Sequence, residues 1–231
     1  MNKIIISMTS IERRAGTLRW TLDSLFAQTL KPTEVRLYAE PVVLNDHGLD
    51  PYPDLRRFST EDRGSVTKIS AIADPQLDDH DLIVTVDDDV VYDPRWLATL
   101  VDGVDANPGA AVGFSGWNVS SFLEDPVNGS YFWPRDTGPR DVLEGWAGVA
   151  YRKSFLDVRA VLSPPPLFRY VDDVWISWQL QRQKTPRITI PKGDLVFKGT
   201  PVNLPGLHNR PDFVSHNRTA SVVSFGSQRK D

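Results

Sequence analysis

The chemistry-bearing residues of this chain gather in two acidic clusters. In the first, DLIVTVDDDVVYDPRWL, a mostly apolar run from Leu82 to Val86 ends on the consecutive carboxylates Asp87, Asp88 and Asp89. Adjacent like charges at the end of a buried strand repel one another and lose hydration, so such a site calls for a cation. Carboxylate oxygens are hard ligands, suited to Mg²⁺ or Mn²⁺, and a metal held there would neutralise a diphosphate and stabilise it as a leaving group. In extended geometry alternate side chains face the same way, so Asp87 and Asp89 are expected to converge while Asp88 points elsewhere. The competing reading is a solvated acidic turn that caps the next helix.

The second cluster, Asp172 and Asp173 in YVDDVWISWQLQRQ, opens a predicted helix. A helix N-terminus stabilises carboxylates, so capping is one role; accepting a proton from an attacking hydroxyl is the other. In GWAGVAYR, Gly145 and Gly148 surround Trp146 closely enough to bring backbone near a ligand, with the indole as a platform for a sugar ring. Buried aromatics with turn glycines give the same pattern. His208 and His216 stand in an irregular stretch with Asn209, Arg210, Asn217 and Arg218, each a candidate metal ligand or a solvated surface histidine. Lys68, after the single glycine of RGSVTK, is a candidate anion contact without a phosphate-loop pattern.

The elements that would position these residues alternate. KIIISM reads as a buried strand, and the following polar turn TSIERRAG leads into TLRWTLDSLFAQTLKP. There Leu18, Leu22, Leu25 and Phe26 share one helical face, and the helix stops before Pro32. EVRLYAE is a second strand, giving the parallel strand–helix–strand unit of an α/β protein. Residues 41–64 are rich in loop signals, VTKISAIAD reads as a short helix, and DLIVTV is a third strand. YDPRWLATLVDGVDANP is a helix with Asp93 as N-cap and Pro94 at its first position. AAVGFSG is a fourth strand, and residues 117–144 are irregular and aromatic, with Trp117, Phe122, Tyr131, Phe132 and Trp133. GWAGVAYRKSFLDVRAVL runs from strand into helix, RITIP is a last short strand, and the chain from Lys192 onward reads as loop. The whole is expected to be one domain.

Composition excludes several classes of function. The 231 residues are 40% hydrophobic and 24% charged, ordinary values for a globular chain with a real core. A net charge of −4 gives no general attraction to nucleic acid. With no cysteine, thiolate metal sites and cysteine nucleophiles are excluded, and a reducing, cytoplasmic setting fits. MNKIIISMTS lacks the apolar core of a secretory leader, and no window is long enough to span a bilayer.

The order of these pieces resembles the inverting glycosyltransferases of family 2, with the GT-A fold, from about residue 3 to 191. TLDSLFAQTLKPTEV is similar to that family's first βα unit, VDDDVVYDPRWLATL to its DxD stretch, GWAGVAYRKSFL to its Gly-rich acceptor-side segment and VDDVWISWQL to its Glu-Asp motif. The resemblance implies an α/β GT-A domain with a nucleotide-sugar-binding half, residues 1–116, and an acceptor half with a C-terminal loop, residues 117–231. It implies transfer of a hexosyl or N-acetylhexosaminyl group from a nucleotide-sugar, a UDP-sugar above all, to a saccharide, glycolipid or other hydroxyl acceptor. Mn²⁺ or Mg²⁺ would sit on Asp89, with Asp87 on the metal or the ribose and Asp88 beside them. Thr9 and Arg13 would approach the nucleoside, Asp62 the base, Lys68 the phosphates and Trp146 the sugar. Asp173 would be the general base, with Asp172 in place of the usual glutamate, and His216 or His208 the C-terminal metal ligand. The Gln-x-x-Arg-Trp motif of processive synthases is absent, which points to single transfers. Two alternatives remain: a nucleotidyltransferase, disfavoured because SMTSIERRAGT has a single glycine, and a non-catalytic nucleotide-sugar-binding protein of the same fold. Peripheral contact with a membrane-borne acceptor stays open.

Overall fold

The computed structural model describes residues 2–125, 134–202 and 204–226. Tyr131, Phe132 and Trp133, expected in the aromatic loop, lie outside the described residues. Strand β1 (Ile4–Thr9) starts the sheet, and helix α1 (Leu18–Phe26) returns the chain to β2 (Glu34–Ala39), parallel to β1 with Ile6 opposite Val35. Leu18, Leu22 and Leu25 of α1 are completely buried, as their spacing predicts. After the single-turn helix α2 (Pro41–Leu44), β3 (Leu55–Ser59) adds a parallel edge strand beside β2. That strand falls inside the stretch read as loop: Arg56 and Arg57 hide its alternation because one edge of it faces solvent.

A 3-10 segment, Ser65–Ala73, leads to β4 (Leu82–Thr85), parallel to β1 on its other side. The short β5 (Val90–Val91) and helix α3 (Trp96–Ala106) follow. The helix begins later than Pro94, because Asp93 to Arg95 form a turn in which the Asp93 carboxylate accepts the Arg95 amide at 3.0 Å. The buried Gln28 amide oxygen takes the capping role instead, accepting the Leu97 N–H at 2.9 Å.

The chain then makes β6 (Ala111–Gly113), β7 (Gly116–Trp117), α4 (Val119–Glu124), β8 (Gly138–Pro139), β9 (Val142–Leu143) and β10 (Val149–Arg152). The remaining elements are α5 (Val158–Val161), α6 (Asp172–Arg182), β11 (Arg187–Thr189), β12 (Lys198–Gly199) and α7 (Phe213–Phe225). The expected strand-into-helix at 145–162 is thus a strand followed by one helical turn.

The main sheet has eight strands in the order β3-β2-β1-β4-β10-β6-β11-β8. Its first half is parallel, whereas β10 runs antiparallel to both β4 and β6. That reversal matters for the site. Val149, the first residue of β10, pairs with Thr85, the last of β4, so the loop entering β10 lies at the edge where β4 releases its aspartates. Side chains alternate between two cores. Ile6, Met8, Val84 and Val86 face α1 and α3, while Ile5, Ile83 and Val149 face the 3-10 segment and α6.

Helix α7 corrects the expectation of a loop after Lys192. Its buried side chains include Asn217, Ala220, Ser221 and Ser224, while Val214, Val222 and Val223 are exposed, so its apolar periodicity is weak. Ser221 and Asn217 instead hydrogen-bond carbonyls one turn back along the helix.

Candidate active site

Asp87, Asp88 and Asp89 occupy the turn between β4 and β5, at the carboxyl end of a central strand. The turn ends strand alternation, and the pairing differs from the expectation. Asp88 is the buried member: Ser10 Oγ–H donates to Oδ2, and Arg14 Nη1 donates to Oδ1 at 2.8 Å. The same nitrogen reaches Asp89 Oδ2 at 2.6 Å, so Asp88 and Asp89 converge on one guanidinium. Asp87 turns instead toward Lys68, whose Nζ donates to Oδ1 at 2.8 Å. Burial pushes the Asp88 carboxyl up to about 6, against the pull of Arg14 and Ser10. Burial also raises Asp87, opposed chiefly by Lys68.

Arg14 is a site residue that the sequence did not single out. The 3-10 turn Glu12–Thr17 that links β1 to α1 buries Arg14 and leaves Arg13 in solvent. The cation next to the aspartates is therefore Arg14, while Arg13, expected near the nucleoside, points to solvent.

Lys68 joins the two acidic clusters. Its Nζ, 5% exposed as a side chain, lies 2.8 Å from Asp87 Oδ1, 2.8 Å from Asp172 Oδ2 and 4.0 Å from Asp173 Oδ1. The Asp172 contact is an ion pair by distance. Burial opposes the ammonium charge, but Asp172, Asp87 and Asp173 together hold the Lys68 pKa well above its ordinary value. Ser7 of β1 fixes the segment by donating to the Lys68 carbonyl at 2.6 Å.

Both acids of the second cluster sit in the first turn of α6. Asp172 is buried against Lys68, whereas Asp173 keeps a third of its side chain open. Asp173 Oδ1 accepts the Gly145 N–H at 2.9 Å. Desolvation, then the neighbouring Asp172 charge, push the Asp173 carboxyl well above the usual carboxylate range. Gly145 is required here by close approach: a Cβ on it would lie 2.5 Å from Lys68 Nζ and 3.0 Å from Asp173 Oδ1.

Tyr92 closes the arrangement. Its buried hydroxyl accepts the Asp87 N–H at 3.1 Å and donates to the Trp146 carbonyl at 3.0 Å. Trp146, half-buried, meets Phe197 edge-on at 6.0 Å.

The other expected residues are placed as follows. Thr9 ends β1 and donates to the Tyr38 carbonyl at 2.7 Å. Asp62 accepts the Gly64 N–H at 2.7 Å and pairs with Arg169 at 3.1 Å, ahead of α6. Gly64, with φ +83°, allows this, since a Cβ there would sit 2.0 Å from the Arg169 carbonyl oxygen. His216 lies on α7 with Nδ1 3.2 Å from Asp212 Oδ2. His208 falls in the short turn Leu207–Asn209, and its side chain lies outside the described residues. Among the described residues no group of three or more His, Asp or Glu side chains could hold a metal unaided. Asp87 and Asp89 are each about a third exposed (33% and 36%) although held by different cations, and carboxylate oxygens open to solvent are the ligand type that suits a hard cation sharing its remaining positions with phosphate and water. Also among the described residues, no helix is long and apolar enough to cross a membrane.

No protein-family model matches the chain, and no curated protein matches it in sequence. Solved structures do. The chain superposes on S. aureus TarS 1-349 in complex with UDP-GlcNAc with a TM-score of 0.66 and 14% identity, over 96% of this chain and 66% of that one. For the complex of the same protein with UDP the TM-score is 0.59 at 14% identity, over 84% and 59% of the two chains. For TarS 1-349 alone it is 0.58 at 13% identity, over 99% and 74%. The chain thus spans from about three-fifths to three-quarters of the TarS chains it matches. At this identity the likeness bears on the fold, and the GT-A-like α/β architecture expected from the sequence is the one the chain has.

Proposed function

We propose that the protein is a metal-dependent, inverting glycosyltransferase that moves a hexosyl or N-acetylhexosaminyl group from a UDP-sugar to a hydroxyl acceptor, a saccharide or glycolipid. The observation that carries the reading is Lys68: one buried ammonium touches the strand-end acid Asp87 and the helix-start acid Asp172, with Asp173 beside it. Two carboxylate centres with different surroundings, side by side at the carboxyl edge of the sheet, suit a donor pocket and a base. The fold is shared with a protein seen in complex with UDP and with UDP-GlcNAc, which supports that donor class.

In this reading residues 1–116 hold the donor and residues 117–231 face the acceptor. Asp89 and Asp87 would hold Mn²⁺ or Mg²⁺, and His216, engaged with Asp212, is left out of the ligand set. A metal bound there would offset the charge that develops on the departing diphosphate. Arg14 keeps the Asp88–Asp89 turn in place, and Lys68 adds a fixed positive charge at its other side. Asp173, the more open acid, takes the proton of the acceptor hydroxyl, and Asp172 stays with Lys68 as its counter-ion. A single displacement inverts the anomeric carbon. Asp62 and Thr9 border the nucleoside end, and Trp146 forms the wall nearest the transferred sugar.

Calorimetric titration of UDP into wild type and Asp89→Ala, with Mn²⁺ and then with EDTA, tests the donor site. Binding should need both the metal and Asp89; equal binding by the variant in EDTA would refute the assignment. In parallel, Asp173→Asn should bind UDP as wild type does and lose the release of UDP from UDP-GlcNAc.

A further inference from the structure

The backbone of the triple aspartate is held by three different elements. The Asp89 carbonyl accepts the Thr200 N–H at 2.9 Å, and the Asp88 carbonyl accepts the Thr21 hydroxyl at 2.9 Å. The Asp87 N–H goes to the Tyr92 hydroxyl at 3.1 Å, which donates in turn to the Trp146 carbonyl at 3.0 Å. An amide can only donate and a carbonyl can only accept, so both directions are fixed, and one hydroxyl joins two backbones. The ring that carries it is 2% exposed, lies 4.5 Å from Trp96 and meets Phe197 edge-on at 6.2 Å. On the acceptor side, the residues flanking Gly145 and Trp146 are pinned. The Leu143 N–H donates to Ser177 Oγ at 3.0 Å, and the Trp96 indole donates to the Ala147 carbonyl at 2.8 Å. Glu144, 8% exposed, is held twice by Ser115, whose carbonyl accepts its N–H at 3.0 Å and whose hydroxyl donates to its carboxylate. Between these anchors, the Gly145 N–H rests on Asp173 at 2.9 Å and the Trp146 carbonyl on Tyr92.

We propose that Tyr92 is a positioning residue of the transfer reaction: its hydroxyl sets the spacing between the Asp87 turn and the Gly145–Trp146 pair, and so the hydrogen bond that orients Asp173. The proposal rests on the transferase reading of the site. Lys68 joins the same two acidic centres by charge, at the end of a long stem. Tyr92 joins them backbone to backbone through a ring packed between aromatic neighbours, which makes it a strut. Without the hydroxyl, the Trp146 carbonyl loses its tie to the donor turn. The slack falls on Gly145 and Trp146, because Glu144 and Ala147 are fixed on either side. A base displaced by a fraction of an ångström from an attacking hydroxyl loses rate without losing donor affinity.

Tyr92→Phe tests this, since it removes the hydroxyl and keeps the ring. The control is Ser24→Ala: Ser24 Oγ accepts the Tyr92 N–H at 3.1 Å, so this variant also takes a buried hydrogen bond from Tyr92 but leaves its hydroxyl in place. The first readout is the Gly145 amide by NMR. Glu144–Gly145 is the sole Glu-Gly step in the sequence, so ¹³C-carbonyl glutamate with ¹⁵N-glycine labelling isolates that amide. Its hydrogen exchange should quicken about tenfold or more in Tyr92→Phe and stay near wild type in Ser24→Ala. In the second readout, Tyr92→Phe should lower kcat for release of UDP from UDP-GlcNAc about tenfold or more, with KM and calorimetric UDP affinity within about twofold of wild type. Unchanged Gly145 exchange or unimpaired kcat in Tyr92→Phe overturns the proposal. Equal losses in Ser24→Ala also overturn it, because general loosening around Tyr92 would then be the cause. Failure of wild type to bind UDP at all would instead refute the transferase reading, and the role in transfer with it. The exchange of Gly145 would then still decide whether Tyr92 governs the segment.

Discussion

Replacing Lys68 by methionine tests whether one cation holds both acidic clusters together. The stem would keep its packing, but Asp87 and Asp172 would each lose a partner at 2.8 Å and Asp173 one at 4.0 Å. Breaking a buried pair by removing one member costs about 3–5 kcal/mol, because the charge left behind is neither hydrated nor compensated. For a chain of this size each kcal/mol is worth about 2–4 °C in Tm, so Lys68→Met should melt roughly 6–20 °C lower. Asp172→Asn in the same background removes one of the stranded charges. A double-mutant cycle should therefore return at least about 1 kcal/mol relative to the summed single effects. The deficit also has a pH sign. Asp87 and Asp173 are already raised by burial and are pulled down by Lys68, so without it both move further up in the folded state, and the folded protein binds more protons than the unfolded one. Stability is then lost as pH rises, and the deficit should be larger at pH 8 than at pH 5. Urea denaturation at both values, with the slope m checked for constancy, measures all of this. A Lys68→Met protein within about 1 kcal/mol of wild type, or strict additivity in the cycle, would refute the reasoning.

Glu144 gives a second linkage effect. Its pKa is raised from 4.5 to about 7 on folding, so ionisation destabilises the native state by about 3 kcal/mol in full, with roughly 2.5 kcal/mol of this developing between pH 5 and pH 8. Glu144→Gln cannot ionise and should gain on wild type by that amount over the same interval; a pH-independent difference in unfolding free energy would rule this out. At Gly64, with φ +83°, alanine would place a Cβ 2.0 Å from the Arg169 carbonyl oxygen, so the loop or the approach to α6 must shift. Gly64→Ala should cost about 3 kcal/mol or more, read as a fall in Tm, and a melting curve superimposable on wild type would show that the approach is looser than described.

What could be read in the sequence depended on how locally each feature is determined. β1, α1 and β4 bury one-sided or continuous apolar patterns, and their periodicity alone located them. β3 and α7 carry their burial on residues that periodicity does not count: arginines at an exposed edge in one, Asn217, Ser221 and Ser224 on the packed face of the other. The acidic clusters stood out because charge at the end of an apolar strand is costly wherever the strand lies. Which cation answers each cluster was not local information. Arg13 and Arg14 are indistinguishable as letters, and only the 3-10 turn after β1 selects Arg14. Glu144 was passed over because a single glutamate in an irregular stretch is ordinarily solvated. It becomes conspicuous only when the reversed strand β10 pulls the preceding loop over α6.

Charge balance draws these particulars together. Asp87, Asp88, Asp89, Asp172 and Asp173 surround just two of the described cations, Lys68 and Arg14. With every carboxylate ionised, this group would carry a net charge of −3, from two positive and five negative groups. The strain of holding this charge together shows in the raised pKa values of the group, Asp88 to about 6 and Asp173 and Asp87 above their ordinary value, with burial as the largest cause. A nucleotide diphosphate adds at least two further negative charges, roughly, to the same edge. Lys68 and Arg14 are already shared among the aspartates, so neither can be spared for phosphate without stranding a buried carboxylate. If the proposed transferase reading holds, the donor would therefore bring its own positive charge. Asp87 and Asp89, the two members of the triple aspartate with a third of their side chains open, are where that charge would be received.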